Sequence, residues 1–74
     1  MPKLPVLSGQ DVRRVLESFG YRLVRQRGSH MVMQRENEDG GTTTIPVPDH
    51  DELRTGTLRS IIRQSGLSTK EFCK

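Results

Sequence analysis

Between Tyr21 and Val47 the chain carries three short runs of strand-forming residues joined by connections of only a few residues each. A parallel crossover needs a dozen or more residues, so these runs can pair only as an antiparallel meander. The first run, Tyr21 to Gln26, is broken by Arg27-Gly28-Ser29 and resumed from His30 to Arg35, which predicts a hairpin with a tight turn. Glu36 to Gly41 is a polar loop, and Thr42 to Val47 reads as the third strand. Pro46 and Pro48 lack amide donors, so that strand is expected to lie at a sheet edge or to end there.

Helical periods flank the meander. Val12, Val15, Leu16 and Phe19 recur at i, i+3, i+4 and i+7, with Ser8 as N-cap, Asp11 completing a capping box and Gly20 as the stop. This predicts a helix over Ser8 to Phe19. Leu58, Ile61 and Ile62 form a second stripe, with Thr55 or Thr57 as cap, Asp51 and Glu52 near its positive end and Gly66 as its end. Ser68 to Glu71 fits another capping box and predicts a last turn that returns Phe72 to the core. The expectation is an α+β domain over residues 1–74 in the order α-β-β-β-α, a three-stranded antiparallel sheet with both helices on one face, and a short C-terminal helix. Leu, Ile, Val and Phe supply 18 of 74 residues, enough to fold around a small core.

Charge falls in blocks. Residues 1–35 hold seven basic and two acidic side chains, residues 36–53 six acidic and none basic, and residues 54–74 five basic and one acidic. Such polarity steers polyanions to one side of a molecule, although solvated surface charge accounts for it as well. Cys73 stands alone and closes no internal disulfide, which argues against the disulfide-stapled secreted class. No apolar run is long enough to span a membrane, and Met1 to Val6 with its two prolines lacks a signal peptide's apolar core. A cytoplasmic location is expected.

Two histidines are the only side chains with ordinary titration near neutral pH. His30 follows Gly28-Ser29, with Arg22, Arg25 and Arg27 just before it; an imidazole beside phosphate-holding arginines is what RNA cleavage through the substrate's own 2′-hydroxyl requires. Packing at a strand start explains the same spacing. Strand alternation would send Arg22 and Arg25 to opposite faces, with Arg59 and Arg63 of the second helix as further candidate RNA contacts. His50, in Pro48-Asp49-His50-Asp51-Glu52, matches no structural zinc spacing, and there is no P-loop or dinucleotide fingerprint, so no metal or cofactor is expected. Met31 and Met33 alternate with Val32 as packing residues.

Gly20-Tyr21, Arg25-Gln26-Arg27-Gly28-Ser29-His30, Pro48-Asp49-His50 and Gly56-Thr57-Leu58-Arg59-Ser60-Ile61-Ile62-Arg63-Gln64-Ser65-Gly66-Leu67-Ser68 with Phe72 together resemble the HicA family of toxins from type II toxin–antitoxin modules. The likeness runs from about Ser8 to Phe72. It implies a double-stranded-RNA-binding-domain-like fold and a ribosome-independent endoribonuclease acting on mRNA, with His30 catalytic and a HicB-like antitoxin as partner. Ser65 departs from the alanine usual there, a small-for-small exchange, and the acidic loop Glu36 to Asp39 lies where the family varies. A non-catalytic RNA-binding module of the same fold is the competing expectation.

Overall fold

Helix α1 (Gly9–Ser18) begins where the sequence supplies both halves of a capping box: the Asp11 amide donates to Ser8 Oγ at 3.0 Å, and the Ser8 amide donates to the Asp11 carboxylate at 3.1 Å. Leu7 before the cap and Val12 at the fourth helical position are both buried, the arrangement of a hydrophobic staple. Val12 and Leu16 enter the core. Phe19, expected on the same stripe, is 37% exposed: the helix stops at Ser18, and the non-helical backbone of Phe19 carries its ring off the core face before Gly20 turns the chain at φ +93°.

The computed structural model describes residues 4–73; residues 1–3 and 74 of the expected 1–74 domain lie outside the described residues. After α1 come β1 (Arg22–Arg27), β2 (His30–Glu36), β3 (Thr42–Pro48), helix α2 (Thr55–Ser65) and a 3-10 helix (Thr69–Phe72). The strands form one antiparallel sheet in the order β1-β2-β3, so β3 with its prolines is an edge, as expected. Gly28 at φ +57° followed by Ser29 at negative φ is the pattern of a two-residue type II′ hairpin, which needs glycine at its first central position.

One face of the sheet packs against the helices. Met31, Met33, Ile45 and Val47 are buried there against Val12 and Leu16 of α1, Leu58 and Ile61 of α2, and Phe72. The Tyr21 hydroxyl donates to the Ser65 carbonyl at 3.1 Å, tying the start of β1 to the end of α2. Ser65 is itself buried, its hydroxyl donating to the Ile62 carbonyl and accepting from the Leu67 amide, so the core tolerates this polar group at the helix end.

Two caps differ from expectation. Arg54 occupies the N-cap of α2, no side chain bonds to its first amides, and no acidic residue lies in its first turn. Thr55 is already helical, so its hydroxyl is not placed as an N-cap acceptor. At Ser68 the tight 3-10 turn closes through the Glu71 amide to the Ser68 carbonyl instead of through side chains.

Candidate functional site

The placement of the β1 arginines relative to His30 follows from a single irregularity in β1. Its ladder with β2 pairs Arg22 with Gln34 and Leu23 with Met33, then skips Val24 and pairs Arg25 with Val32, Gln26 with Met31 and Arg27 with His30. Two residues therefore oppose one, which is a β-bulge. Directly opposed residues share a face, and buried Met31 and Met33 define the inner one. Arg22, Arg25, Arg27 and His30 thus all leave the sheet on its outer, uncovered face. The expectation from simple alternation that Arg22 and Arg25 point to opposite faces is corrected: the extra residue Val24 shifts the phase between them.

These four side chains occupy one side of the hairpin. Five residue steps separate Arg22 from Arg27, a track of roughly 15 Å, or a few nucleotides of extended backbone. All three arginines are exposed, and none makes a salt bridge among the described residues. His30 is exposed too, and its imidazole has no hydrogen-bond partner among the described residues. Gly28 has open space around it, so the hairpin tip presents bare backbone beside Arg27.

The backbone beneath His30 is held from below. His30 pairs with Pro48 of β3, and the next amide, that of Asp49, donates to the Ser29 carbonyl. Gln10 of α1 donates from its side-chain amide to the Asp49 carboxylate at 3.1 Å, and the Gly9 amide donates to the His50 carbonyl at 2.9 Å. Helix α1 touches the strand so closely here that a Cβ on Gly9 would lie 2.1 Å from the Pro48 carbonyl oxygen. Residues 48–50 are thus a brace for the hairpin. Among the described residues no three His, Cys, Asp or Glu side chains gather into a cluster, and His50 serves here through its backbone.

Across β3 from the arginines, His30 forms one lip of an open groove of about 410 Å³ whose other wall is α2. Pro46 and Pro48 make its floor, and Gly56, Thr57, Ser60 and Gln64 face it from the helix. Sequence reasoning missed these helix residues. Their signal is a small and polar stripe at i, i+4 and i+8 (Gly56, Ser60, Gln64) lying next to the apolar stripe. Arg59 and Arg63 precede Ser60 and Gln64 by one residue each, about 100° round the helix, and are exposed outside the groove. The structure brings Arg22, Arg25 and Arg27 to His30 and leaves Arg59 and Arg63 on a separate flank.

A second cavity, of about 470 Å³, lies at the opposite end of the sheet by Gly20, Arg22 and Arg35. Arg35 there is committed to the fold, with its guanidinium 4.6 Å from the Tyr21 ring centroid and donating to the Phe19 carbonyl at 3.2 Å. No helix among the described residues is long and apolar enough to cross a membrane.

In a comparison with known families, a model described as the HicA toxin of bacterial toxin–antitoxin systems matches residues 9–67 of the 74-residue chain. A comparison with curated proteins gives no significant match.

Proposed function

From the premise that the chain belongs to the HicA toxin family of bacterial toxin–antitoxin systems, we propose that it is an endoribonuclease that cleaves mRNA at His30. The observation that carries this reading is the alignment of Arg22, Arg25 and Arg27 with His30 on one open face, achieved by the bulge at Val24. A phosphodiester backbone laid along the arginines passes over the imidazole. Guanidinium groups bind phosphate oxygens through charge-assisted, often bidentate hydrogen bonds and neutralise charge that grows on the phosphorane oxygens.

The chemistry is internal transesterification. The 2′-oxygen of the RNA attacks the adjacent phosphorus, its proton leaves to a base, the bond from phosphorus to the 5′-oxygen breaks, and that oxygen takes up a proton. The products are a 2′,3′-cyclic phosphate and a 5′-hydroxyl, with no change in oxidation state and no water consumed. The His30 imidazole stands on this face, and it serves as the base for the first transfer or the acid for the second. The route takes its nucleophile from the substrate, and no metal is assigned to it.

The same basic face is suited to an inhibitor. A HicB-like antitoxin presenting Asp and Glu to these arginines covers His30 and excludes RNA, so that binding of the two is mutually exclusive. Toxicity is thereby held in check by occlusion.

One observation favours the competing reading of a non-catalytic RNA-binding module: no hydrogen bond among the described residues orients the His30 ring. Incubating the protein with unstructured RNA and identifying the product ends separates the two. Cleavage by the native protein, resistance of RNA with a 2′-deoxy sugar at the cut and loss of cleavage in His30→Ala support the nuclease. RNA that is bound and left intact establishes the binding module.

A further inference from the structure

The groove between His30 and α2 has no part in the chemistry just described, and its composition differs sharply from the arginine track. No Lys, Arg, Asp or Glu lines it. Its floor is Pro46 and Pro48, apolar and with no amide hydrogen to satisfy. Its wall carries a hydrogen-bonded pair: the Gln64 side-chain amide nitrogen donates to Ser60 Oγ at 3.0 Å. That bond sets the orientation of the amide. It leaves the Gln64 carbonyl oxygen as an acceptor, with the second amide hydrogen and the Ser60 hydroxyl as donors beside it.

An uncharged slot with an apolar floor and a donor–acceptor edge is complementary to a nucleobase. Its volume of about 410 Å³ falls at the small end of the roughly 300–1,000 Å³ typical of ligand sites. Side-chain amides read base edges by paired hydrogen bonds, and sequence-selective recognition of RNA works on unpaired bases whose edges are free to bond. Gly56 adds an independent observation. Its φ is not positive and nothing lies within 4 Å of where a Cβ would be, so neither backbone geometry nor packing demands glycine in this first helical turn. The missing side chain keeps the mouth of the groove open.

We propose that Ser60 and Gln64, over the floor of Pro46 and Pro48, hold and read one unpaired nucleobase next to the scissile bond. The molecule then divides RNA across His30: backbone phosphates on the β1 side, one base on the α2 side, and the reacting sugar and phosphate between them. This inference rests on the nuclease reading and deepens it by assigning the origin of cleavage-site preference.

The test is the distribution of cut sites on an unstructured RNA of randomised sequence, read by sequencing product ends for the native protein, Ser60→Ala, Gln64→Ala, Gln64→Glu and His30→Ala. Because the distribution is normalised to total cleavage, it is read at whatever rate each variant retains. Ser60 and Gln64 are exposed, and an unchanged melting temperature certifies the fold of each variant. The native protein should favour one base at a position beside the cut. Gln64→Ala should shrink that preference by about five- to 150-fold, the discrimination a bidentate hydrogen bond to a base supplies, and Ser60→Ala by less. Gln64→Glu, which only accepts, should move the preference toward bases with an exocyclic amine. An unbiased native protein, or the same bias in native and Gln64→Ala, refutes base reading while leaving the nuclease intact. The same bias combined with weaker antitoxin binding by Gln64→Ala assigns the groove to a protein partner instead. RNA left uncut by native protein and His30→Ala alike removes the nuclease reading, and this inference with it.

Discussion

Arg27 and His30 are directly opposed across the Gly28-Ser29 turn, so their side chains rise from the same face of the sheet. Opposed residues in an antiparallel pair have Cβ atoms about 5 Å apart, close enough for a guanidinium and an imidazole to share one phosphate. The hairpin therefore carries the proposed site, closed by a two-residue turn and bound by Pro48 and Asp49 from the third strand.

Replacing His30 by Ala should lower RNA cleavage by about 10² to 10⁴-fold, the usual contribution of a general acid or base. Since His30 is exposed and its ring makes no hydrogen bond among the described residues, the melting temperature should move by no more than about 2 °C. Steady-state cleavage and thermal unfolding check the two halves. Full activity in the folded variant would remove His30 from the chemistry.

Neutralising Arg22, Arg25 or Arg27 to Gln should weaken binding to single-stranded RNA and flatten its salt dependence by about 0.7 in log–log slope for each phosphate that is no longer neutralised. All three should contribute, because the bulge puts all three on the same face. Deleting Val24 is the sharper measurement. Removing the extra residue regularises the ladder and leaves every arginine on its present face, so the RNA salt slope should be retained. Were the strand unbulged, the deletion would turn part of it over, and the slope would fall.

Much of this was legible in the residues. The capping box of Ser8 and Asp11, the glycine-initiated hairpin and the proline-marked edge are local devices, each written within a few positions, and the structure contains all of them. The fold order followed from connection lengths. Non-local features did not announce themselves: the bulge at Val24 depends on which register buries Met31 and Met33, and the groove depends on how α2 lies against β3. Phe19 misled because period alone does not reveal that a helix ends one residue before its last apolar position. Helix α2 misled at its cap, since Thr55 is an acceptable cap residue that the backbone has already taken into the helix.

Gly9 carries no signal in the sequence and is among the positions least tolerant of change. A Cβ there would overlap the Pro48 carbonyl, and both partners are backbone, so helix and strand must separate. Overpacking of this kind typically costs about 1–3 kcal/mol, and for a domain of this size each kcal/mol lowers the melting temperature by about 4–8 °C. Gly9→Ala should accordingly melt roughly 5–20 °C lower than the native protein. It should also lose cleavage activity below its melting point, because the strand that moves is the one paired with His30. A melting temperature within a degree of native would show that the two backbones relax apart without consequence.

Gly56→Ala should do the opposite to stability. Alanine is the better helix former by up to about 1 kcal/mol, its φ requirement is met, and open space receives its methyl group, so the melting temperature should rise by several degrees. Activity should nevertheless fall, because that space is the mouth of the groove beside His30 and small displacements of a reacting group cost rate steeply; Gly56→Leu, which fills more of the mouth, should lose about tenfold to hundredfold. Stability and activity moving in opposite directions across Gly, Ala and Leu distinguishes a glycine kept for its ligand from one kept for its fold. A Gly56→Ala protein that is both more stable and as active as the native one, with Gly56→Leu equally active, would show that RNA does not approach the helix here.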